Sequence, residues 1–341
     1  MALTINTNVS SLIAQRNLNA ATNALNTSIE RMTTGYKINH AADNAAGYSI
    51  ANMWVTQLGS LDVAADNAAT GADMLTTAEE TYGLLTSHLQ RVRDLTEQAA
   101  NGTYGSQSLK AIQSEVVARM QEVNRIAANS EFNGIKLMAF TSNGDGSGIT
   151  TSGVNLQVGL YADENSTINL SSDLFSDASM AGLFVDMATS DLSAKSLADL
   201  VTTAGGTLAN LASADADEKQ NAIEAFAAAC CGLVYNSGNG TFTLNADPNN
   251  GAKELLAYLD AGIDEISTRV TKIGAAQNRV DSAVAALDVQ SQNITSSLST
   301  LRDTDIAEES SAYIQSQILQ QAAATLLSTA NQLPSIALNL I

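Results

Sequence analysis

The strongest constraint on the fold is a heptad repeat in the last third of the chain. From residue 259 to residue 301, mostly apolar side chains recur at alternating steps of four and three. Six unbroken heptads are typical of a long helix that packs in a coiled coil or bundle. When the repeat is continued in the same phase, its next positions are Asp305 and Glu308, and it reaches a large apolar residue again at Leu319. We therefore expect one helical path with a polar joint near residues 302–309. The members of the repeat are Leu259, Ile263, Ile266, Val270, Ile273, Gln277, Val280, Val284, Leu287, Ser291, Ile294, Leu298 and Leu301.

Both ends of the chain lack charge but carry apolar stripes at helical spacing. Residues 310–341 and residues 1–15 contain no charged side chain. A bilayer span needs about 20 predominantly apolar residues, whereas amides and hydroxyls recur at every turn of this tail. The first residues also lack the basic start of a cleaved signal peptide. We predict amphipathic helices that serve assembly, through Ile5, Val9, Leu12, Leu319, Leu326, Leu333, Ile336 and Leu340.

Composition favours helices and excludes nucleic-acid binding. Aromatic residues make up 4% of the chain and there are two prolines, which suits long helices packed through small side chains. The formal net charge is −19, the opposite of what a phosphate backbone requires. Residues 141–252 hold 13 acidic side chains against two lysines, a balance of −11. This middle region is therefore predicted to be solvated.

Local patterns divide the chain into helices, an insertion and helices again. A short helix is predicted to end near residues 35–39, a longer one to run from about Leu58 to Asn101, and a third to reach about Asn129. Asn133 and Gly134 predict a tight turn, and residues 154–160 and 167–170 alternate as strands do. Residues 196–201 and 217–231 are predicted helices, and residues 241–244 belong to a predicted hairpin.

The predicted fold class is therefore mainly α. We expect a long antiparallel helical coiled coil or bundle built from both chain ends, with a β-hairpin region and a small α+β inserted domain. The predicted domains are residues 1–43 with 302–341, residues 44–185 with 253–301, and a solvent-exposed variable insertion at residues 186–252.

No pattern of residues predicts catalysis. His40 and His88 are the only histidines, and neither belongs to a metal-binding motif. Cys230 and Cys231 are adjacent, which is a poor geometry for an ordinary disulfide, so we expect free, partly buried thiols. The sequence indicates a protein that is not an enzyme and that uses no cofactor or metal.

Several ordered motifs resemble the two signatures of bacterial flagellins. The N-terminal motifs are IERMTTG at residues 29–35, AADNAAG at 41–47, LQRVRDL at 89–95 and QAANGT at 98–103. The C-terminal motifs are GAAQNR at residues 274–279, QILQQA at 317–322 and ANQLP at 330–334. Together the two similar regions cover about 140 N-terminal and 85 C-terminal residues.

The resemblance implies a secreted, extracellular subunit of the bacterial flagellum that self-assembles into the helical filament for motility. Its implied partners are other copies of the chain, a flagellar export chaperone, and the hook-associated junction and cap proteins, with no membrane and no nucleic acid. The terminal helices would form the inner filament core and the next helices the outer core. A patch for subunit contact and for the flagellin-sensing Toll-like receptor is implied at Gln90, Arg91, Arg93, Leu95 and Glu115.

Two other interpretations remain open at this point. One is a hook–filament junction protein of the same superfamily, and the other is a secreted coiled-coil binding protein. Thr96 and Glu97 also stand where the family usually has Ala and Val, so the resemblance leaves the strength of receptor activation undecided.

Overall fold

The chain folds into two units that are each built around long helices. The computed structural model describes residues 8–138, 153–161, 163–171, 174–179, 182–183, 216–231, 233–236, 241–244 and 248–339. Unit 1 comprises residues 1–62 and 288–341, and unit 2 comprises residues 63–287. Each of the two boundaries between these units falls inside a helix. The domain boundaries expected from the sequence stay a prediction.

The secondary structure confirms a mainly α fold with small antiparallel hairpins. The helices are α1 (Val9–Thr34), α2 (Ala45–Ala99), α3 (Ser106–Asn129), α4 (Ala216–Cys230), α5 (Pro248–Arg302) and α6 (Ile306–Asn339). The strands are β1 (Glu131–Phe132), β2 (Ile135–Lys136), β3 (Val154–Gln157), β4 (Thr167–Leu170), β5 (Leu233–Asn236) and β6 (Thr241–Leu244).

In unit 1 the helix ends are set by capping residues. The side chain of Asn8 accepts a hydrogen bond from the backbone N–H of Ser11 at 3.0 Å and caps α1. Gly35 ends the same helix at φ 76°, and its N–H donates to the carbonyl of Arg31. Asn44 caps α2 by accepting from the N–H of Gly47 at 2.9 Å, so α2 begins at Ala45, earlier than the stripe at Leu58 indicated.

The polar joint lies where the heptad count predicted it, but the path is not one helix. Helix α5 ends at Arg302 and α6 begins at Ile306. Asp305 accepts from the N–H of Ala307 at 2.8 Å, which makes it the cap of a new helix. The linker pairs with the turn after α1, through a bridge between Tyr36 and Asp303. The expectation of a continuous helical path is therefore wrong, because capping and cross-linker pairing favour a break.

In unit 2, three antiparallel hairpins accompany the helices. Strands β1 and β2 are joined by Asn133 at φ 50° and Gly134 at φ 80°, the positive angles of a type I′ turn. Strand β3 pairs with β4 from Val154–Leu170 to Gln157–Thr167. Strand β5 pairs with β6 in the same antiparallel sense. The predicted tight turn, the strand at 167–170 and the hairpin at 241–244 are confirmed, and the strand predicted at 154–160 is present but ends at Gln157.

The core of unit 2 includes a helix from the region expected to be exposed. Residues Ala222 to Cys231 on and after α4 are at most 5% exposed, apart from half-buried Glu224, and Phe226 is fully buried. Gln121 on α3 donates to Gln220 on α4 at 2.7 Å, which fixes the two helices side by side. The description of residues 186–252 as solvent-exposed therefore does not hold for α4. The predicted helix at 196–201 lies outside the described residues.

Candidate assembly interface

The terminal helices α1 and α6 pack against each other through a face that mixes small and polar side chains with three leucines and a tyrosine. On α1 this face repeats every three or four residues and consists of Ser11, Ala14, Leu18, Ala21, Leu25 and Ser28. On α6 it consists of Glu309, Tyr313, Ser316, Gln320, Ala323, Leu327 and Ala330. All these residues are buried or half-buried, and both sets keep heptad spacing. Small side chains let two helix backbones approach closely. We call this contact the terminal seam.

Hydrogen bonds fix the antiparallel register of the terminal seam. At one end the Asn8 amide donates to the carbonyl of Ala330 at 2.7 Å. Near the middle the Gln320 amide donates to the Thr22 hydroxyl at 3.2 Å. At the other end Arg31 lies 3.8 Å from the carboxylate of Glu309, which is 8% exposed. The two helices therefore align along their described length.

Large apolar side chains of both helices lie away from the terminal seam. They are between 44% and 62% exposed, and Leu326 is the most exposed of them. Three of them, Ile314, Ile318 and Leu319, line an open cavity of about 390 Å³ on α6. We call this set the outer apolar face: Val9, Leu12, Ile13 and Ile29 on α1, with Ile306, Ile314, Ile318, Leu319 and Leu326 on α6.

The four predicted assembly residues whose side chains the structure describes fall on the outer apolar face and not in the terminal seam. Val9, Leu12, Leu319 and Leu326 are each more than half exposed. Ile5 and Leu340, and the side chains of Leu333 and Ile336, lie outside what the structure describes. These four predicted residues therefore do not mark the contact between the two terminal helices, which uses another stripe of each helix.

A second group of predicted site residues forms ion pairs in unit 2. Arg91 on α2 donates through Nε to Glu115 on α3 at 2.9 Å, and Arg119 lies 3.7 Å from the same carboxylate oxygen. Arg93 donates through Nε to Asp260 on α5 and lies 3.3 Å from Glu97. Of the two arginines in the patch that the resemblance implies, Arg91 therefore pairs with Glu115, whereas Arg93 pairs with other carboxylates.

The charged groups of this patch are exposed and mutually stabilised. The hydrogen bond with Arg91 is the main cause that lowers the pKa of Glu115, and the same bond raises the pKa of Arg91. Gln90 is exposed beside them. Leu95 is 2% exposed and belongs to the core, so a partner that touches the surface of this fold cannot reach it. No sequence pattern indicated Asp260, because its pairing with Arg93 depends on how α2 packs against α5.

Other chemistry-bearing residues do not form a site with these patches. The His40 side chain is 69% exposed and lies 2.7 Å from Glu30. Within the described part of the chain, no group of three or more His, Cys, Asp or Glu residues could hold a metal ion. Across the same residues, no helix combines the length and apolarity that a membrane crossing needs.

Comparison with known proteins places the chain in a family. A model described as the bacterial flagellin N-terminal helical region matches residues 5–143, and one described as the C-terminal helical region matches residues 256–341. The chain belongs to the bacterial flagellin family. The N-terminal region includes α1 and the Arg91–Glu115 pair, and the C-terminal region includes α6.

Flagellins of Vibrio species are similar over their whole length. Polar flagellin B/D of Vibrio parahaemolyticus is 35% identical, and flagellin D of Vibrio anguillarum is 34% identical. In both cases the similarity covers 100% of this chain and 100% of the relative. A crystal structure of Bacillus cereus flagellin is 19% identical with a TM-score of 0.39, and the match covers 65% of this chain and 88% of that one.

Membership in the flagellin family decides the main function. The chain is a structural subunit of the bacterial flagellar filament. The two other interpretations, a junction protein and a secreted coiled-coil binding protein, are not favoured by full-length similarity to flagellins.

Proposed function

We propose that this flagellin polymerises through the outer apolar face of its paired terminal helices. The proposal rests on the difference between the two surfaces of these helices, the buried terminal seam and the exposed outer apolar face. The terminal seam buries one face of α1 and one face of α6 against each other, and nine large apolar side chains outside it stay at least 44% exposed. Large exposed apolar patches mark protein contact sites. Other copies of the chain supply the matching surface.

The proposed contact is head-to-tail and acts mechanically. Different surfaces of neighbouring copies meet, so the contacts do not close into a ring and a helical filament grows. Residues 1–43 and 302–341 form the inner core of that filament, and residues 44–185 with 253–301 form the outer core. The filament lies outside the cell, and the chain has a structural role and no enzymatic one.

The outer apolar face of α6 is also suited to partners that bind the subunit before it polymerises and to partners at the two ends of the filament. An amphipathic helix is recognised by partners that offer an apolar groove. Ile314 and Ile318 provide an exposed pair of apolar anchors at i and i+4 on α6, with Leu319 beside them. We therefore place the export chaperone, and the hook-associated junction and cap proteins, on this surface.

A truncation that ends the chain before Gln317 tests the proposal. It removes Leu319 and Leu326 with about two thirds of α6, and leaves unit 2 complete. We expect the truncated chain to keep the cooperative unfolding transition of unit 2 and to form no filaments after seeding, as seen by electron microscopy. Filaments of normal length and number from this truncation would contradict the proposal.

A second candidate role concerns the charged patch of unit 2. Arg91 and Glu115 keep 47% and 37% of their side-chain surface exposed while they are bonded to each other. Such a fixed, exposed guanidinium suits recognition by a host Toll-like receptor. Arg91→Ala is expected to weaken receptor signalling by the purified monomer. The control is Arg125→Ala, which removes another exposed arginine bonded to a glutamate. Equal reporter output from both variants and the parent at limiting dose would refute the role of Arg91.

A further inference from the structure

Two adjacent thiols lie in the core of unit 2 without any role in the assembly surfaces. Cys230 ends α4 and Cys231 follows it, and both are 0% exposed. The thiol of Cys230 lies close to the side chain of Thr96 on α2, which is also 0% exposed. The two cysteines are therefore part of the surface by which α4 joins the other helices of unit 2.

The position of these residues in the fold is incompatible with a bond between them. Consecutive residues of a helix point about 100° apart around its axis. Their Cα atoms are about 3.8 Å apart across a trans peptide, whereas disulfides usually span about 4.4–6.8 Å. The N–H of Cys231 also donates to the carbonyl of Ala228 at 3.1 Å, which holds the last turn in place. A bond between the two sulfur atoms would require this turn to open and Cys230 to leave Thr96.

We propose that Cys230 and Cys231 form a redox site that controls the docking of α4. As two thiols they complete the core of unit 2, and as a disulfide between neighbours they prevent α4 from packing on α2 and α3. The oxidant is a small two-electron thiol oxidant, and a dithiol reductant reverses the reaction. The site is independent of the polymerisation surface proposed above.

The reaction balances without any group from the protein. With the azodicarboxamide diamide as oxidant, both S–H bonds break and one S–S bond forms. The two protons and two electrons pass to the N=N bond, which becomes a hydrazine. In the folded chain this reaction is slow for two reasons. The sulfur atoms are out of contact with solvent, and burial raises the pKa of Cys231 to about 12 and that of Cys230 well above its usual range. The reactive thiolate is therefore scarce.

The consequence is that folding and oxidation exclude each other. Thiols exposed in the unfolded chain can form the eight-membered disulfide ring, and that chain then cannot complete the core. Thiols already in the core react only when α4 opens, which a packed core makes rare. The redox state at the moment of folding therefore decides whether unit 2 becomes native.

The test treats the full-length chain with diamide in two states. One sample is oxidised while folded, and the other is oxidised in denaturant at low concentration and then refolded. Thiol titration, non-reducing electrophoresis and intact mass, which falls by two hydrogens, follow the intrachain bond. We expect oxidation of the folded chain to be at least about 100-fold slower, because only the open fraction reacts. The refolded oxidised chain should lose the unfolding transition of unit 2 and regain it with dithiothreitol.

Two variants make the test specific. Cys230→Ala/Cys231→Ala should show no response to diamide in either state, because it has no thiol. Cys231→Ala alone cannot form the intrachain bond, so its refolding after diamide treatment should match that of its untreated form once any mixed products are reduced. The proposal is overturned if the oxidised parent chain refolds with the same unfolding transition as the reduced chain. It is equally overturned if folded and unfolded chains oxidise at the same rate.

Discussion

Replacing Leu326 with alanine separates the outer apolar face from the terminal seam. Leu326 lies on α6 and is 62% exposed in the single chain. Alanine is the best helix former, so the substitution does not weaken α6 itself. Any loss of assembly must then come from the apolar surface that is removed.

The size of the effect follows from the exposed fraction. Complete burial of a leucine side chain contributes about 1.5–3 kcal/mol. Because 62% of Leu326 is still exposed, about 1–2 kcal/mol remains to be gained when another copy covers it. The entropy lost on association is the same for both chains and cancels in the comparison. A change of about 1.4 kcal/mol is tenfold in an equilibrium constant, so the critical concentration for polymerisation should rise by about 5–30-fold.

The assay is sedimentation of seeded filaments over a range of subunit concentrations. The matched control is Ser328→Ala, which introduces the same residue two positions along α6 at another exposed site. We expect the control to polymerise at the parental critical concentration. If Leu326→Ala also polymerises at that concentration, the outer apolar face is not the polymer contact.

The remaining predictions concern the turns and caps of the fold. Gly134→Ala should lower the stability of unit 2 by about 1 kcal/mol, because Gly134 has φ 80°. Gly83→Ala should raise that stability by about 0.5–1 kcal/mol, because Gly83 lies within α2 with open space around it. Thermal unfolding measures both, and equal shifts of one sign would contradict the argument. Asp43 accepts hydrogen bonds from the N–H groups of His40 and Asn39, and these bonds lower its pKa. The stability that its charge provides is therefore present above the ordinary value of 3.8 and is lost as pH falls through the lower folded pKa. The gap in melting temperature between the parent chain and Asp43→Asn should close as pH falls below about 4, and a gap that does not change with pH would refute this cause.

The long helices and the first hairpin could be predicted from the sequence because their signals are local. A heptad repeat without a break in phase requires a helix from residue 259 to 301, and α5 includes all of it. Asn133 and Gly134 are the residues that a type I′ turn needs, and they adopt its positive φ angles. These elements depend on neighbours in sequence, so tertiary packing has little to alter.

The sequence also contains a signal for the break between α5 and α6, although the heptad repeat favours a helical path through it. Asp305 followed by Glu308 has the spacing of a helix start. Asp305 indeed accepts from the N–H groups of Ala307 and Glu308. The hydrophobic phase continues across the break, and phase alone does not tell a continuous helix from two capped ones.

The face of α6 that enters the terminal seam could not be predicted, because on this helix it is the less apolar of two stripes. Helix α6 carries two stripes at heptad spacing, and the one with Leu319 and Leu326 is the more apolar. The stripe with Ala323 and Ala330 allows the closer approach, and it is the one that faces α1. In the same way, the pairing of Arg93 with Asp260 joins residues 167 positions apart. Such contacts require the packed fold.

The most direct test of the account is a helical reconstruction of the filament by electron cryomicroscopy at side-chain resolution. The account predicts that Ile318, Leu319 and Leu326 are buried against neighbouring copies, while Ala323 and Ala330 still face α1 of their own chain. A filament in which Leu319 and Leu326 remain exposed to solvent, with subunits joined only through other surfaces, would contradict it.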